Sequence, residues 1–243
     1  MIKYRLGIFI TTVLLAFSVG VSSSPKNSPD DRFLEYRIDP QKQQLKFFWK
    51  DDKNRPFKSL QNLKDWLALR DQHLVFAMNG GMYKTDNSPL GLYIEDAKIK
   101  SPVNSRSGNG NFYLKPNAVF YITKNNQAGI STTENFRQRS NITFATQSGP
   151  MLLINGKIHP AFTKGSSNVN IRNAVGILPG GQVLFVMSKT PVNFYEFAAY
   201  FKNAGCKNAL YLDGFVSRTY LPSKSWVQTD GDFGVILAEV SSK

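Results

Sequence analysis

Four short segments of this 243-residue chain place polar side chains beside an apolar run, and three of them add glycine. They are Asn79-Gly80-Gly81-Met82-Tyr83, Gln147-Ser148-Gly149-Pro150, Asn170-Ile171-Arg172-Asn173-Ala174 and Tyr211-Leu212-Asp213-Gly214. Glycine lets the backbone turn sharply and lets a ligand come close to the backbone N–H groups. Each segment can therefore bind a polar ligand at a strand end. Taken singly, each is more often a turn than a binding site.

The inventory of reactive side chains excludes several kinds of catalytic site. The sequence contains two histidines, His73 and His159, and one cysteine, Cys206. A histidine-rich zinc site, a paired-cysteine cluster and an intramolecular disulfide are therefore excluded. A Ser-His-Asp triad would need one of the two histidines, but no G-x-S-x-G elbow accompanies either, and no P-loop or dinucleotide fingerprint occurs. Because His159 follows the Asn155-Gly156 turn, we expect it at the surface or at the rim of a site.

The elements that must position these segments are mostly short strands. Residues 36–38 and 45–49 alternate between apolar and polar, as half-buried strands do. Asn155-Gly156 and Gly180-Gly181 are hairpin turns. Further apolar runs, each flanked by turn residues, cover residues 74–78, 91–94, 118–122, 151–154, 174–178, 183–187, 209–212 and 233–238.

Two helices complete the prediction. Ser59 is a suitable N-cap for a helix whose apolar residues begin at Leu60. Asn193 and Glu196 resemble a capping box at the start of a second helix, and Gly205 ends it. The apolar face of that helix, which we interpret as core packing, consists of Phe194, Phe197, Ala198 and Phe201. About ten strands and two main helices predict an α+β fold with a mixed, mostly antiparallel sheet in a single domain.

The N-terminus is typical of an export signal. Lys3 and Arg5 precede an apolar run over residues 8–21, and Ser22, Ser23 and Ser24 follow it. The run is shorter than the roughly 20 residues that cross a bilayer, so we expect cleavage rather than membrane insertion. We predict a signal peptide over residues 1–23, a polar tether over 24–32 and one domain over 33–243, in a periplasmic or secreted protein.

The formal charge of +13, or +11 without Lys3 and Arg5, indicates anionic partners. Acidic polysaccharide, phospholipid and phosphate-bearing substrates all fit this charge. Nucleic acid is the least natural of the anionic partners for an exported protein, and we expect none. The sequence leaves the oligomeric state open.

Together, the polar segments resemble a known family. Asn-Gly-Gly-Met-Tyr at 79–83, Gly91, Gln-Ser-Gly-Pro-Met-Leu at 147–152, Arg-Asn-Ala-Val-Gly at 172–176 and Leu-Asp-Gly at 212–214 occur in one order. This order resembles the phosphodiester glycosidases, which include the enzyme that removes N-acetylglucosamine from mannose 6-phosphate diesters. The resemblance covers roughly residues 70–240. It implies an exported hydrolase that cleaves the glycosidic bond of a sugar-phosphate diester.

The resemblance implies two principal catalytic residues. Arg172 is expected to hold the phosphate, because a planar guanidinium can bind two oxygens at once. Lys164 and Arg218 could assist it, although surface cations of this kind are usually solvated. Asp213 is the expected nucleophile, general base or stabiliser of positive charge on the sugar ring. A second carboxylate is left open among Glu95, Asp86 and Asp232.

Other residues of the same segments are expected to bind substrate. Asp230-Gly231-Asp232 has too few correctly spaced ligands for Ca²⁺, so we predict neither a metal nor a cofactor. The expected substrate-binding residues are Asn79, Gly80, Gly81, Gln147, Ser148, Gly149, Asn173, Gly214, Phe215 and Ser217.

One position departs from the family pattern. The family usually has a second glycine after Leu-Asp-Gly and a serine two residues further on, whereas this chain has Phe215 followed by Ser217. Phenylalanine lacks the positive-φ freedom of glycine. Phe215 could narrow the pocket, stack on a sugar or alter activity. A non-catalytic module that binds anionic glycans, and a phosphodiesterase that breaks the P–O bond, are therefore the alternatives to a glycosidase.

Overall fold

Sixteen strands and two α-helices form within the described part of the computed structural model, which comprises residues 1–2, 30–137 and 140–242. Asp31 begins the compact unit that runs to the C-terminus. The predicted signal peptide and most of the tether lie outside the described residues. The elements are β1 (Phe33–Ile38), β2 (Gln44–Phe48), α1 (Leu60–Ala68), β3 (Gln72–Asn79), β4 (Tyr93–Glu95), β5 (Lys98–Ser101), β6 (Ala118–Thr123), β7 (Ala128–Thr132), β8 (Ile142–Ser148), β9 (Met151–Ile154), β10 (Lys157–Ile158), β11 (Asn173–Ile177), β12 (Val183–Ser188), α2 (Phe194–Asn203), β13 (Asn208–Asp213), β14 (Thr219–Leu221), β15 (Trp226–Val227) and β16 (Ile236–Ser242).

The strands form three sheets rather than one, and their pairings are antiparallel throughout the described chain. The first sheet has the order β1-β12-β11-β13-β9-β10, the second β15-β14-β3-β16-β2 and the third β5-β4-β8-β6-β7. The α+β class and the predominance of antiparallel pairing are therefore confirmed. The expected single mixed sheet is replaced by three sheets, because strands far apart in the sequence pair with one another, as β1 does with β12 and β3 with β16.

The three sheets share one apolar core. Phe120 of the third sheet lies between Phe47 of the second sheet and Phe185 of the first, with ring centroids 5.4 and 6.0 Å apart. Phe76 of the second sheet also packs on Phe185 at 5.1 Å. Each buried phenylalanine of this kind contributes about 1.5–3 kcal/mol. This shared core fixes the three sheets relative to one another.

Each helix covers the outer face of one sheet. In α1, the Ser59 hydroxyl caps Asn62 N at 3.2 Å, and the buried leucines of the helix pack on β3, β14 and β16. In α2, Asn193 Oδ1 accepts from Glu196 N at 2.9 Å, and Phe197, Ala198 and Phe201 pack on the first sheet. The predicted caps are confirmed. The Glu196 carboxylate pairs with Arg32 at 2.9 Å.

Two sequence expectations are wrong. His159 is 2% exposed, because its Nε2 bonds to Lys115 O at 2.8 Å and its Nδ1 accepts from Ala161 N at 3.1 Å. The last strand begins at Ile236 instead of residue 233, because the Phe233 backbone is engaged in an isolated bridge with Lys58.

The polar segments meet at one end of the three sheets. Asn173 at the start of β11 pairs with Asp213 at the end of β13. The Ser148 hydroxyl at the end of β8 donates to Leu212 O at 2.8 Å. Asn173 Nδ2 donates to Asn79 O, at the end of β3, at 2.9 Å. All three sheets therefore contribute a residue to the neighbourhood of Asp213.

Candidate active site

Two asparagine side chains connect the second sheet to Asp213. Asn173 Oδ1 accepts from Asp213 N at 2.8 Å, and Asn173 Nδ2 donates to Asn79 Oδ1 at 2.8 Å. Asn79 Oδ1 also accepts from Arg218 N at 2.9 Å. Because both amide oxygens face donors, the orientation of each amide is determined. Asn173 therefore positions the Asp213 backbone, and its own side chain is fully engaged in that task.

Asn79 is left with an unused donor. Its side chain is 1% exposed, and its Nδ2 has no hydrogen-bond partner among the described residues. A buried polar group without a partner costs roughly 1–3 kcal/mol. A bound molecule that supplies the acceptor removes this cost. Asn79 Nδ2 is therefore the amide donor best suited to bond to a substrate oxygen.

Asp213 presents one carboxylate oxygen to the protein and keeps the other free. Oδ1 accepts from Gly214 N at 2.6 Å and from Phe215 N at 3.3 Å, whereas no described group bonds to Oδ2. Burial raises the pKa of Asp213 to about 6, although the two N–H donors act to lower it. At neutral pH the group is therefore mostly ionised, and Oδ2 can attack carbon, accept a proton or stabilise a cation.

Gly214 is required by the position of Tyr211. A Cβ at residue 214 would overlap the Tyr211 hydroxyl oxygen. That hydroxyl accepts from Arg172 Nη1 at 3.3 Å. Burial raises the pKa of the Tyr211 phenol; the Arg172 charge opposes this rise and the Asp213 charge adds to it. The charges of both predicted catalytic residues therefore act on the Tyr211 hydroxyl group.

Arg172 is a buried cation without a carboxylate partner in the described chain. It is 1% exposed, and burial lowers its pKa. Nε donates to Val192 O at 2.9 Å, and Nη2 donates to the Asn168 backbone and side-chain oxygens, both at 3.0 Å. With the bond to Tyr211, the guanidinium makes four hydrogen bonds in total, one fewer than its five N–H groups allow. The expected two-oxygen grip on a phosphate therefore requires Asn168 to move, but the positive charge is available as it stands.

An aromatic stack supports the guanidinium. Arg172 lies 3.8 Å from the centroid of Phe194, which stacks on Phe162 at 4.8 Å. Phe162 in turn stacks on His159 at 4.8 Å. Phe194 was interpreted as core packing, yet its half-buried ring covers Arg172, which is a role that helical spacing alone does not reveal.

The remaining predicted polar residues serve mainly to hold loops in place. Gln147 Oε1 accepts from Leu92 N and Asn104 N, both at 2.9 Å, and its Nε2 donates to Asn104 O at 2.7 Å. The Gln147 amide is thus committed to the protein. The Ser217 hydroxyl donates to Asp213 O at 3.1 Å, so it stabilises the turn that follows β13.

The predicted glycines sit where side chains would collide. A Cβ at Gly81 would lie 2.6 Å from Thr146 Oγ1, and one at Gly149 would lie 2.6 Å from Asn117 Cβ. Gly80 N donates to Val235 O at 2.7 Å. Close packing between loops therefore explains these glycines, and the Gly80 N–H is not free for a ligand.

Phe215 lies outside the enclosed part of the site. Its side chain is 93% exposed, and its backbone does not adopt a positive φ. The replacement of glycine at this position therefore causes no backbone strain. The ring does not narrow a pocket, and a stacking surface at the rim is the consequence that its position still allows.

The three candidates for a second carboxylate lie in different places. Glu95 lines a separate cavity of about 280 Å³ beside α1, and burial raises its pKa to about 7. Asp86 is exposed and bonds to Ser88, which lowers its pKa. Burial raises the pKa of Tyr83 to about 12, and the charges of Asp213 and Asp232 add to that rise. Asp232 is therefore the candidate that shares a neighbour with Asp213.

Sequence reasoning overlooked Tyr211, Tyr83 and Asn168. Both tyrosines lie inside the polar segments described above, but neither was given a role. The Tyr211 hydroxyl leaves no room for a Cβ at residue 214, which explains the glycine there. Asn168 carries no pattern that distinguishes it from other loop asparagines. Within the described residues, no group of three or more metal-binding side chains occurs, and no helix there is long and apolar enough to cross a membrane.

Comparison with known proteins identifies relatives of this chain. A family model described as phosphodiester glycosidase matches residues 72–235. The chain is 36% identical over 211 residues to YigE, an uncharacterised protein of Escherichia coli K12, and the match covers 86% of this chain and 82% of YigE.

Solved structures share the fold. One is the zebrafish N-acetylglucosamine-1-phosphodiester alpha-N-acetylglucosaminidase catalytic domain, described as auto-inhibited by its pro-peptide. It matches with a TM-score of 0.60 and 17% identity over 88% of this chain and 84% of that one. A Burkholderia pseudomallei K96243 protein matches with a TM-score of 0.57 and 11% identity over 85% of this chain and 73% of its own. The family model spans most of the described domain, and the likeness to YigE extends over most of both chains, so this chain belongs to the phosphodiester glycosidase family.

Proposed function

We propose that this protein hydrolyses the glycosidic bond of a sugar-phosphate diester. The observation that carries the proposal is the arrangement around Tyr211. The Tyr211 hydroxyl accepts from Nη1 of the buried Arg172 at 3.3 Å and lies against Gly214, the residue next to the half-buried Asp213. A phosphodiester glycoside has a negative phosphate bonded to an anomeric carbon that becomes positive when the bond breaks. A cation beside a carboxylate is complementary to this charge distribution.

The roles of Arg172 and Asp213 follow from the charge and the oxygen atom that the described residues leave without a partner. Arg172 offsets the charge that develops on the leaving phosphate, since its positive charge has no carboxylate partner among the described residues. Asp213 Oδ2 faces the anomeric carbon as nucleophile, as base for water or as stabiliser of the oxocarbenium ion. The anomeric C–O bond breaks, its electrons leave with the phosphate monoester, and water supplies the hydroxyl to the sugar and a proton to the solution. A phosphate is a good leaving group, so a strong general acid is not needed.

Asn79 completes the proposed site. Its unpaired Nδ2 donates to a phosphate or sugar oxygen, and Asn173 holds it in that orientation. The same proposal includes export to the periplasm or beyond, supported by the basic start, the apolar run over residues 8–21 and the serines after it.

The experiment measures free sugar released from a synthetic glycosyl phosphodiester by the purified domain, residues 33–243. We expect Asp213→Asn and Arg172→Ala each to lower kcat/KM at least about 100-fold, the scale of a lost catalytic charge. Asp86→Asn and Arg55→Ala are matched controls, because both residues carry the same charges at exposed positions. Because Arg172 is buried, urea unfolding must show that each variant is folded at the assay temperature. Turnover by folded Asp213→Asn at the wild-type rate would contradict the proposal.

A further inference from the structure

The charged residues around the site divide into two groups according to the connections that carry them. The connections over residues 102–117, 159–172 and 189–193 contain no aspartate or glutamate. We call these three connections the basic rim. Their five cations are Arg106, Lys115, Lys164, Arg172 and Lys189.

The three connections of the basic rim are joined to one another, and Arg172 lies at the end of the second. Lys115 O bonds to His159 Nε2 at 2.8 Å, which joins the first connection to the second. Val192 O accepts from Arg172 Nε at 2.9 Å, which joins the third connection to the second. None of the five cations forms an ion pair within the described residues. Glu196, at the start of α2, is engaged with Arg32.

A second set of connections around the site carries the carboxylates. Residues 80–92, 214–218 and 228–235, together with Asp213, contain four acidic and two basic side chains. One of the two basic side chains, Arg218, pairs with Asp230 at 2.9 Å. The carboxylates therefore lie outside the basic rim, which contributes only positive charge, and this uneven distribution of charge favours an anionic substrate at the rim.

We infer that the substrate is a linear glycan with repeated phosphodiesters, and that the chain beyond the reacting phosphate lies along the basic rim. This inference rests on the proposed function. A single phosphodiester carries one negative charge, which Arg172 alone can offset. The other four cations lie on connections that are joined to Arg172 by hydrogen bonds and ring stacking, and the alcohol substituent of the leaving phosphate extends from the phosphate that Arg172 holds. A substituent with several negative charges matches these four further positive charges.

The test compares two double variants with the same change of charge. Lys115→Glu/Lys189→Glu alters the rim, and both side chains are exposed; Lys115 Nζ makes only long bonds, of 3.4 and 3.5 Å. Lys157→Glu/Lys207→Glu is the control, because Lys207 precedes β13 and so lies about 20 Å from Asp213 along the strand. The Lys207 carbonyl accepts from Gly156 N at 2.7 Å, so the neighbouring Lys157 lies at the same end. The two substrates are a single glycosyl phosphodiester of a neutral alcohol and an oligomer of the same repeat with six or more phosphates.

We expect the wild-type protein to hydrolyse the oligomer with a kcat/KM at least about 10-fold above that of the single diester at low salt, as electrostatic steering allows. The rim variant should lose this preference, whereas the control should keep at least half of it. High salt should reduce the preference in the wild-type protein, because screening shortens the reach of exposed charges. Both variants should hydrolyse the single diester within about 2-fold of wild type, which also shows that they fold.

Failure of the inference differs from failure of the proposed function. Equal loss in the rim variant and the control, or no preference for the oligomer in the wild-type protein, overturns the inference while turnover of the single diester still supports the proposed function. If the protein hydrolyses neither substrate, and only the rim variant loses binding to the oligomer, the inferred binding surface is supported and the proposed hydrolysis is contradicted. Binding of single-stranded DNA of equal charge as tightly as the oligomer would overturn the assignment to a glycan.

Discussion

Replacement of Asp213 by asparagine should make the protein more stable at pH 8 while it abolishes hydrolysis. The environment of the carboxyl group raises its pKa from 3.8 to about 6, mainly through burial. Each pKa unit corresponds to about 1.4 kcal/mol, so the charge costs the folded state at most roughly 3 kcal/mol. Asp213 is only half-buried, and solvent screening reduces this figure, so we expect a gain of about 1–2 kcal/mol in the variant.

The pH dependence follows from the direction of the shift. Between about pH 4 and 6 the folded protein binds the Asp213 proton and the unfolded chain does not, so wild-type stability falls as the pH rises through this interval. Asparagine does not titrate. The two proteins should therefore be equally stable near pH 4, and the variant should be the more stable one above pH 6.

Urea unfolding at pH 4, 6 and 8 measures this difference. Asp86→Asn is the control, and its stability should change in the opposite direction. Bonds from Ser88 lower the pKa of Asp86, so the ionised side chain favours the folded state above pH 4. A stability difference between Asp213→Asn and wild type that does not change with pH would refute the reasoning, since it would mean that the carboxyl group is not desolvated.

Three further substitutions test how the site is held. Asn173→Ala should cost about 1–3 kcal/mol, because it leaves Asp213 N unsatisfied and removes the donor to Asn79 O and Asn79 Oδ1; it should also lower kcat more than it raises KM, and a change in KM alone would count against it. Gly214→Ala should destabilise the fold by about 1–3 kcal/mol through overlap with the Tyr211 hydroxyl. Unfolding of Gly214→Ala/Tyr211→Phe should show partial recovery, and its absence would refute that contact. Phe215→Gly should leave hydrolysis of a single diester within about 2-fold of wild type, because the ring is exposed; a gain above 10-fold would show that it obstructs the site.

Local sequence signals predicted the parts of the fold that short-range physics determines. Asn193 caps α2 as expected, because its side chain and Glu196 N are three residues apart. The Asn155-Gly156 hairpin forms, with positive φ at both residues. The division into three sheets was not predictable, since it depends on long-range contacts such as Phe120 with Phe47 and Phe185.

The position of the candidate site was predictable, whereas the roles of its parts were not. Asp213 and Asn79 are linked through the side chain of Asn173. Gln147 carries the side chain expected of a ligand-binding residue, yet it bonds to Asn104 across 43 positions of the chain, which no local pattern shows. Arg172 was expected to hold two phosphate oxygens, but the aromatic ring of Phe194 and the carbonyl of Val192 enclose it.

The site of bond cleavage tests the central claim most directly. Hydrolysis of a glycosyl phosphodiester in ¹⁸O-labelled water, followed by mass spectrometry of both products, shows which bond breaks. Attack at the anomeric carbon beside Asp213 predicts the label in the released sugar and none in the phosphate monoester. Label in the phosphate would mean P–O cleavage, and it would contradict the role proposed for Asp213.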